Sequence, residues 1–511
     1  MARRAGTMLA VLALTIGGLI TAGAVSGAGS NVLTAKLTGA HEVPAVTSGG
    51  SGAARVVIQG DGSSIFYQVN YGGLSGAVVA AHIHLGAIGA NGPVLFPLAV
   101  GPSPMSGTLT AESFTGANGL TFAAAVDAIR SGGTYINMHT AAHPAGELRG
   151  QVYDRFLPQS YVISADAPEA NPAGHAFAYN DYFPRTLTVV QGSTVSFIIK
   201  GFHTGTLLPG GMTAAQDFAA GQSVAVDDTD DTGLNPNGTT HVEFGIPALM
   251  PVLPSATCGT AADPCSFDGT KVVSEGAPLG PPTPPTTIKI DAPVGSYVFH
   301  CRVHPAMNGT LTLVNHGVAG TSPDDVASQA AAQAASDTSA AMALFKAKNH
   351  ADVKWNADGS RTVIVNVGAE TADHHVNILE MIPAKVTAGP NDHVLYRISG
   401  RNEPHTVTFP KNLGTFQVPL CEGPNGTDVP CQGPPDEVEF GGGNGVSTLT
   451  TPTTVSDSGL LLPAVTAQAY GVRSTGALSS WQVNFSNAAS GTYTYVCQIH
   501  DGMNGMIVVG Q

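Results

Sequence analysis

Hydrophobic and polar residues alternate with a period of two in short runs along most of the chain. Clear examples are Ala54-Arg55-Val56-Val57-Ile58 and Ile65-Phe66-Tyr67-Gln68-Val69. Such alternation is typical of strands with one buried face, and the Gly-rich stretches between the runs predict turns. The pattern therefore predicts an all-β fold, with a first unit over residues 32–153.

A longer pattern then occurs twice, over residues 160–315 and 351–511. Each copy passes a proline, continues through a strand-like run at 187–192 or 385–389, reaches an isolated histidine and ends on a hydrophobic strand at 310–313 or 506–509. Two copies of one pattern predict two β-sandwiches of the same kind.

One segment between these copies has a helical pattern. Ser322-Pro323-Asp324-Asp325 combines an N-cap residue, a proline at the first helical position and acidic residues at the positive end of the helix dipole. An Ala-rich run follows and ends near Lys346 and Lys348. We predict a helical linker over residues 322–349, a spacer or a helix packed between domains, with no chemistry of its own.

Length, composition and charge narrow the class of protein. A chain of 511 residues should contain several domains, and 63 Gly, 35 Pro and 11% charged residues suit short strands joined by many turns. A formal net charge of −15 argues against a nucleic-acid-binding surface and for a soluble acidic protein.

The amino terminus has the pattern of an export signal. Arg3 and Arg4 precede an apolar run over residues 8–20, and small residues follow it, so we predict a signal peptide over residues 1–28. The run is shorter than the roughly 20 residues that span a bilayer, and no later stretch is long and apolar enough to do so. We therefore expect a secreted or extracytoplasmic protein without a transmembrane segment. Arg3-Arg4 gives weak support to twin-arginine export.

Cysteine usage agrees with an oxidising compartment. Four of the six cysteines form two close pairs in Gly/Pro-rich segments, Cys258 with Cys265 and Cys421 with Cys431, and we predict two loop disulfides. A zinc site of four thiols is the alternative, but neither pair has Cys-x2-Cys spacing.

The remaining two cysteines each begin a Cys-x2-His-x2-Met cluster. A thiolate, an imidazole and a thioether on one loop are soft ligands that suit copper, and a blue-copper site adds a second, distant histidine. The isolated upstream histidines are the candidates for it in both copies. In the first copy, Gly205-Thr206-Leu207-Leu208 replaces the Val-Thr-Phe pattern of the second, so a degenerate first site is the alternative. The candidate ligands are His203, Cys301, His304 and Met307 in the first copy, and His405, Cys497, His500 and Met503 in the second.

Two family resemblances rest on these motifs. The segments 37–44, 81–94 and 135–150, which include Ala81-His82-Ile83-His84-Leu85-Gly86, resemble the chordin-type CHRD domain. Both later units resemble plastocyanin-like cupredoxins, and their ligand loops are similar to the short amicyanin loop. The resemblance implies Greek-key β-sandwiches, a type 1 copper in each, and a loop histidine near the surface that passes the electron.

These observations favour an exported copper electron carrier with two type 1 sites. It would act with a redox partner protein or a small electron donor or acceptor, and an oligomer is compatible with the sequence. The alternatives are a copper-dependent reductase or oxidase and a non-redox copper-binding surface protein.

The enzyme alternative depends on a further copper. His300 precedes Cys301, as a bridge to such a copper requires, but Val496 stands in the equivalent place and neither unit has a His-x-His pair. His175, His374 and His375 are the candidate extra ligands, and we interpret them as strand-surface residues. We expect His300 to bind no metal and to point away from the copper end of the sandwich.

The first unit holds a third group of histidines. His82 and His84 alternate on one strand and therefore share a face, and His139 from a second strand would complete a three-histidine copper or zinc site. Because no fourth ligand is evident, a structural role is favoured here. His143 is a weaker candidate, and we expect Glu147 and Arg149 to form an ion pair.

Overall fold

The computed structural model describes residues 31–167, 174–218, 249–278, 284–398, 400, 402–411, 420–423, 427–430, 445–458, 461–462, 479–500 and 502–510. The predicted signal peptide and the predicted Cys421–Cys431 disulfide lie outside the residues and side chains described.

The first unit is an antiparallel sheet of eight strands with one helix packed on its hydrophobic face. The strands are β1 (Val32–Thr38), β2 (Ser51–Ile58), β3 (Ile65–Gly72), β4 (Val78–Leu85), β5 (Val94–Pro97), β6 (Met105–Leu109), β7 (Thr134–Thr140) and β8 (Leu148–Val152), and the helix is α1 (Phe122–Arg130). Their order in the sheet is β5-β4-β7-β8-β1-β2-β3-β6. Alternate residues of each strand, such as Val56 and Ile83, enter one core that Ile129 of α1 completes.

The second unit consists of two five-stranded sheets that enclose a second core. Its elements are β9 (Ser160–Ala165), β10 (Phe177–Tyr179), β11 (Tyr182–Phe183), β12 (Thr186–Val190), β13 (Thr194–Ile199), β14 (Thr206–Leu207), α2 (Ala214–Asp217), β15 (Cys265–Phe267), β16 (Val273–Ser274), β17 (Thr287–Ile290), β18 (Gly295–His300) and β19 (Asn308–Val314). The sheets have the orders β11-β9-β13-β17-β15 and β12-β19-β18-β14-β16.

The helix α3 (Pro323–Lys348) follows, and the third unit completes the chain. Its strands are β20 (Asp352–Trp355), β21 (Arg361–Glu370), β22 (Val376–Ile382), β23 (Lys385–Ala388), β24 (His393–Arg397), β25 (Thr408–Phe409), β26 (Leu420–Gly423), β27 (Thr427–Pro430), β28 (Val446–Leu449), β29 (Ser456–Asp457), β30 (Ser480–Phe485), β31 (Gly491–Val496) and β32 (Asn504–Val509). One sheet has the order β10-β22-β21-β24-β30-β28, with β20 on β21, and the other has the order β23-β32-β31-β25-β29.

The second and third units share one strand topology. β12 pairs in parallel with β19 as β23 does with β32, and β9 pairs in parallel with β13 as β21 does with β24. The antiparallel pairs β18–β19 and β31–β32 also correspond. The predicted all-β class is confirmed, with the short helices α1 and α2 as unpredicted additions.

The two sandwiches are joined more closely than a simple order of domains suggests. β10 belongs in sequence to the first sandwich, which is the second unit. It pairs, however, with β22 of the second sandwich, which is the third unit. Helix α3 covers this junction. Its Ala341 is buried with Phe177 and Ile378 in a hydrophobic core that is separate from the cores of the two sandwiches.

Helix α3 also contacts the first unit. Its N-cap Ser322 Oγ accepts from the backbone N–H of Asp325, whose carboxylate binds Lys36 of β1 at 2.6 Å. Asp337 holds Arg185 through two contacts of 2.8 Å. The helix is therefore packed against all three units. Among the described helices, none combines the length and hydrophobicity needed to cross a membrane.

Candidate metal centres

Each Cys-x2-His-x2-Met cluster forms the connection between the last two strands of its sandwich. In the first, the N–H of Cys301 donates to the carbonyl of Met307 at 3.0 Å, and the N–H of Met307 donates to that of His304 at 3.0 Å. The second loop repeats both bonds, at 2.8 Å and 3.2 Å. The two loops therefore have the same internal hydrogen bonds.

Strand pairing brings the distant histidines to these loops. His203 lies just before β14, which pairs with β18 so that Thr206 faces His300. His405 lies just before β25, where Thr408 faces Val496 of β31. Each histidine thus meets the cysteine that follows the partner strand.

The resulting clusters are nearly identical. In the first, His203 Nδ1 lies 3.0 Å from His304 Nδ1, and Cys301 Sγ lies 4.0 Å and 3.6 Å from these two nitrogens. In the second, the distances for His405, His500 and Cys497 are 3.0, 3.9 and 3.6 Å. All three ligand atoms of each cluster lie within 4.8 Å of one another.

The environment of both sulfurs favours the thiolate. The N–H groups of Thr204 and Val303 point to Cys301 Sγ at 3.4 Å, and the N–H of Thr406 points to Cys497 Sγ at 3.4 Å. Burial alone would raise the pKa of these thiols, but the adjacent histidines hold it well below its usual range. A thiolate is the form that binds a metal.

The two methionines are buried beside their cysteines. Met307 is 1% exposed in the core that contains Cys301, and Met503 is fully buried in the core that contains Cys497. Two imidazole nitrogens, a thiolate and a buried thioether fit the donor set of a type 1 copper.

The loop histidines lie deeper than the resemblance to cupredoxins implies. The side chains of His304 and His500 are only 5% and 13% exposed, because the two loops face each other where the sandwiches meet. Between them lies Glu403, with Oε1 3.4 Å from His304 Nε2 and Oε2 3.4 Å from His500 Nε2. One carboxylate therefore contacts both candidate centres.

The contacts of Glu403 explain how its carboxylate stays charged although it is buried. Asn180 Nδ2 donates to its Oε1 at 2.9 Å, and the neighbouring Asn402 accepts from the N–H of Ala306 on the first ligand loop. Burial alone would raise the pKa of Glu403, but the two histidines lower it far below its usual value. Burial alone would also lower the pKa of His500, yet Cys497 and Glu403 raise it to about 10. Glu403 was not predicted from the sequence, because His304, one of the two histidines that it contacts, lies 99 positions before it.

His300 is fully buried in an ion-pair network. Its Nε2 lies 2.9 Å from Asp217 Oδ2, and Arg302 donates to both oxygens of Asp217 at 2.8 and 2.9 Å. The groups of possible metal ligands among the described residues do not include it.

The other candidate histidines fall in three places. His175 pairs with Glu380 at 2.9 Å and His374 pairs with Glu370 at 2.8 Å, and both histidines are partly exposed. His375 lies near Asp181 and Asp337. Because Arg185 already binds both of these carboxylates, that group is an ion-pair network.

The first unit brings His82, His84 and His139 together within 4.8 Å of one another. Burial and the neighbouring imidazoles lower the pKa of His82 to about 4, which keeps it neutral. The predicted pair of Glu147 with Arg149 is wrong. Glu147 instead accepts from the hydroxyls of Ser48, Ser75 and Thr140, and Arg149 donates to Asn91 and two backbone carbonyls.

The predicted Cys258–Cys265 disulfide is formed. Cys301 and Cys497 are free and buried. The thiols of the two candidate centres are therefore available to a metal.

A comparison with protein families agrees with the description of the first unit. Residues 33–152 match the CHRD domain, so the first unit is a CHRD domain, as its motifs indicated. A search of curated proteins finds no match.

Among solved structures, the chain is similar to a mutant plastocyanin of fern, with 16% identity over 29% of this chain and 99% of that chain, at a TM-score of 0.14. It is also similar to a Cu(I) amicyanin mutant, with 14% identity over 31% and 98%, at 0.13. A Cu-containing nitrite reductase from Thermus scotoductus SA-01 has 12% identity over 85% and 87%, at 0.17. At TM-scores this low, the likenesses add nothing to the geometry of the sites.

Proposed function

We propose that this protein binds two type 1 copper ions and transfers electrons. The observation that supports the proposal is the buried His–Cys–His cluster, present twice with the same distances. Bound copper would supply the one-electron change between Cu(I) and Cu(II) that an electron carrier needs. The chain itself supplies a thiolate, two imidazoles and a thioether in a rigid, water-poor core.

We further propose that the two centres act as a coupled pair. His304, Glu403 and His500 form a continuous polar connection with two contacts of 3.4 Å. In a carrier with separate centres, each loop histidine would face solvent. Here both face the same buried carboxylate, so electron exchange with an external partner would use another part of the surface near one centre.

The surroundings of His300 favour a carrier over a reductase or oxidase. A bridge to a catalytic copper needs further metal ligands around the histidine. The Nε2 of His300 is bound to Asp217, which Arg302 also binds, and among the described residues His300 belongs to no group of possible metal ligands.

We place the protein outside the cytoplasm. The disulfide between Cys258 and Cys265 is stable in oxidising compartments, and the amino-terminal pattern is that of an export signal. Its partner would then be an extracytoplasmic redox protein or a small electron donor or acceptor.

Copper stoichiometry tests the proposal, and each site serves as the control for the other. The wild-type protein should bind two type 1 coppers and show an intense thiolate-to-copper absorption that reductant bleaches. Cys301→Ser and Cys497→Ser should each remove one blue centre and leave the other. A wild-type protein without this absorption would refute the proposal, and a colourless single variant would refute the centre that the variant retains.

A further inference from the structure

The polar face of the CHRD sheet carries three histidines at adjacent positions. β4 and β7 are antiparallel, with His82 opposite Asn137 and Ala80 opposite His139. Since residues 80, 82 and 84 share one face of β4, the pairing places His139 on that same face. Ala81 and Ile83 point to the opposite face and enter the hydrophobic core.

Backbone carbonyls fix two of the three rings. His84 Nδ1 lies 2.9 Å from the carbonyl of Gly92, and His139 Nδ1 lies 3.0 Å from the carbonyl of Pro144. Because a carbonyl only accepts, both Nδ1 atoms must carry the proton, and each neutral ring keeps the lone pair on Nε2. Metal-binding histidines are held in this way, with the other ring nitrogen donating to a carbonyl or carboxylate.

The other ring nitrogens converge. His139 Nε2 and His82 Nδ1 form a hydrogen bond of 3.3 Å, and one nitrogen from each of the three rings lies within 4.8 Å of the others. His84 Nε2 is buried and has no hydrogen-bond partner among the described residues. A buried lone pair without a partner destabilises the fold, and a bound cation would offset this cost.

We propose that His82, His84 and His139 form a third metal site, which binds a divalent ion of the copper–zinc class through three imidazoles. Imidazole is the ligand type that these ions share. All three side chains are partly exposed, so a fourth position is open to water or a small anion, as in metal sites that bind substrate. The proposal does not depend on the two cupredoxin-like centres.

Cu(II) titration of the full-length protein tests this site, with electron paramagnetic resonance as the readout. The wild type should bind one Cu(II) in addition to any type 1 copper. That ion should give a non-blue signal split by nitrogen ligands. His82→Ala and His139→Ala should each remove this signal and lower the copper content by one per chain, while the blue absorption stays unchanged.

His143→Ala is the matched control, because His143 lies in the same unit outside the cluster. It should keep both the signal and the copper content. Wild-type protein without a non-blue signal, or a signal that survives both cluster variants, would overturn the proposal. If the alanine variants do not fold, the wild-type spectrum decides, since nitrogen splitting from fewer than three rings excludes the site. Loss of the blue bands alone would count against the proposed function and not against this site.

Discussion

Replacing Glu403 with glutamine should weaken both candidate metal centres at once. The substitution keeps the shape of the side chain and removes its charge. Coulomb's law with an effective dielectric constant of about 20 gives roughly 5 kcal/mol for each charge pair at 3.4 Å. Desolvation of the carboxylate offsets much of this, and removal of one partner of a buried pair costs about 3–5 kcal/mol.

We therefore expect Glu403→Gln to destabilise the metal-free sandwiches by about 3 kcal/mol. For domains of 150–250 residues this corresponds to a decrease in Tm of roughly 6–12 °C, which calorimetry would detect. In the copper-loaded protein the reduction potentials of both centres should rise, because a nearby negative charge stabilises Cu(II) relative to Cu(I). A redox titration followed at the blue absorption would measure this.

Glu380→Gln is the control, since Glu380 also pairs with a histidine but is partly exposed. Surface pairs are worth up to about 1 kcal/mol, so its effect should be small and should leave both potentials unchanged. The coupling is refuted if Glu403→Gln behaves like this control, or if only one of the two centres responds.

Two further substitutions test other parts of the site description. His300→Ala should retain the full copper content, as measured by metal analysis. It should cost about 1–3 kcal/mol of stability through the lost contact with Asp217, as measured by denaturant unfolding. Loss of one copper would instead indicate a bridge. Glu147→Gln should remove a pH dependence of the CHRD domain. Burial alone would raise the pKa of Glu147, but hydrogen bonds from Ser75 and Thr140 lower it from 4.5 to about 2, so its contribution to stability is present above pH 4.5 and lost as the pH falls through about 2. Thermal unfolding of wild type and variant should then converge near pH 2, and curves that stay parallel would contradict the assignment.

Local patterns predicted the elements of this fold well. Period-two alternation identified the strands, and Ser322 with Pro323 identified the start of α3. The candidate ligand loops stand out in the sequence because cysteine, histidine and methionine lie within seven residues of one another. Such signals depend only on residues that are close in sequence, so they can be recognised from the sequence alone.

Contacts between distant segments were not predictable in the same way. The pairing of β10 with β22 joins residues about 200 positions apart, and no local pattern marks it. The same holds for Glu403 and Asn180. The docking of the two sandwiches decided their roles, because it places Glu403 in contact with the loop histidines of both.

The positions around the distant histidines show how the two centres should differ. Strand register makes Asp166 equivalent to Gly368, since β9 pairs with β13 as β21 pairs with β24. Both backbones have a positive φ, at 71° and 70°, and both lie against the Nε2 of their distant histidine. Only the first centre therefore has a carboxylate there, with Asp166 Oδ2 4.0 Å from His203 Nε2.

With copper in both centres, this difference predicts a direction for the electron. Among the described residues, Asp166 and Glu403 each lie next to a histidine of the Cys301 centre, whereas only Glu403 lies next to a histidine of the Cys497 centre. Negative charge favours Cu(II), so the first centre should have the lower reduction potential and pass its electron to the second. Asp166→Asn should raise the potential of the first centre and leave the second unchanged, as measured by redox titration of the Cys497→Ser and Cys301→Ser backgrounds. An equal shift at both centres, or a lower potential at the second centre in the wild type, would contradict this direction of transfer.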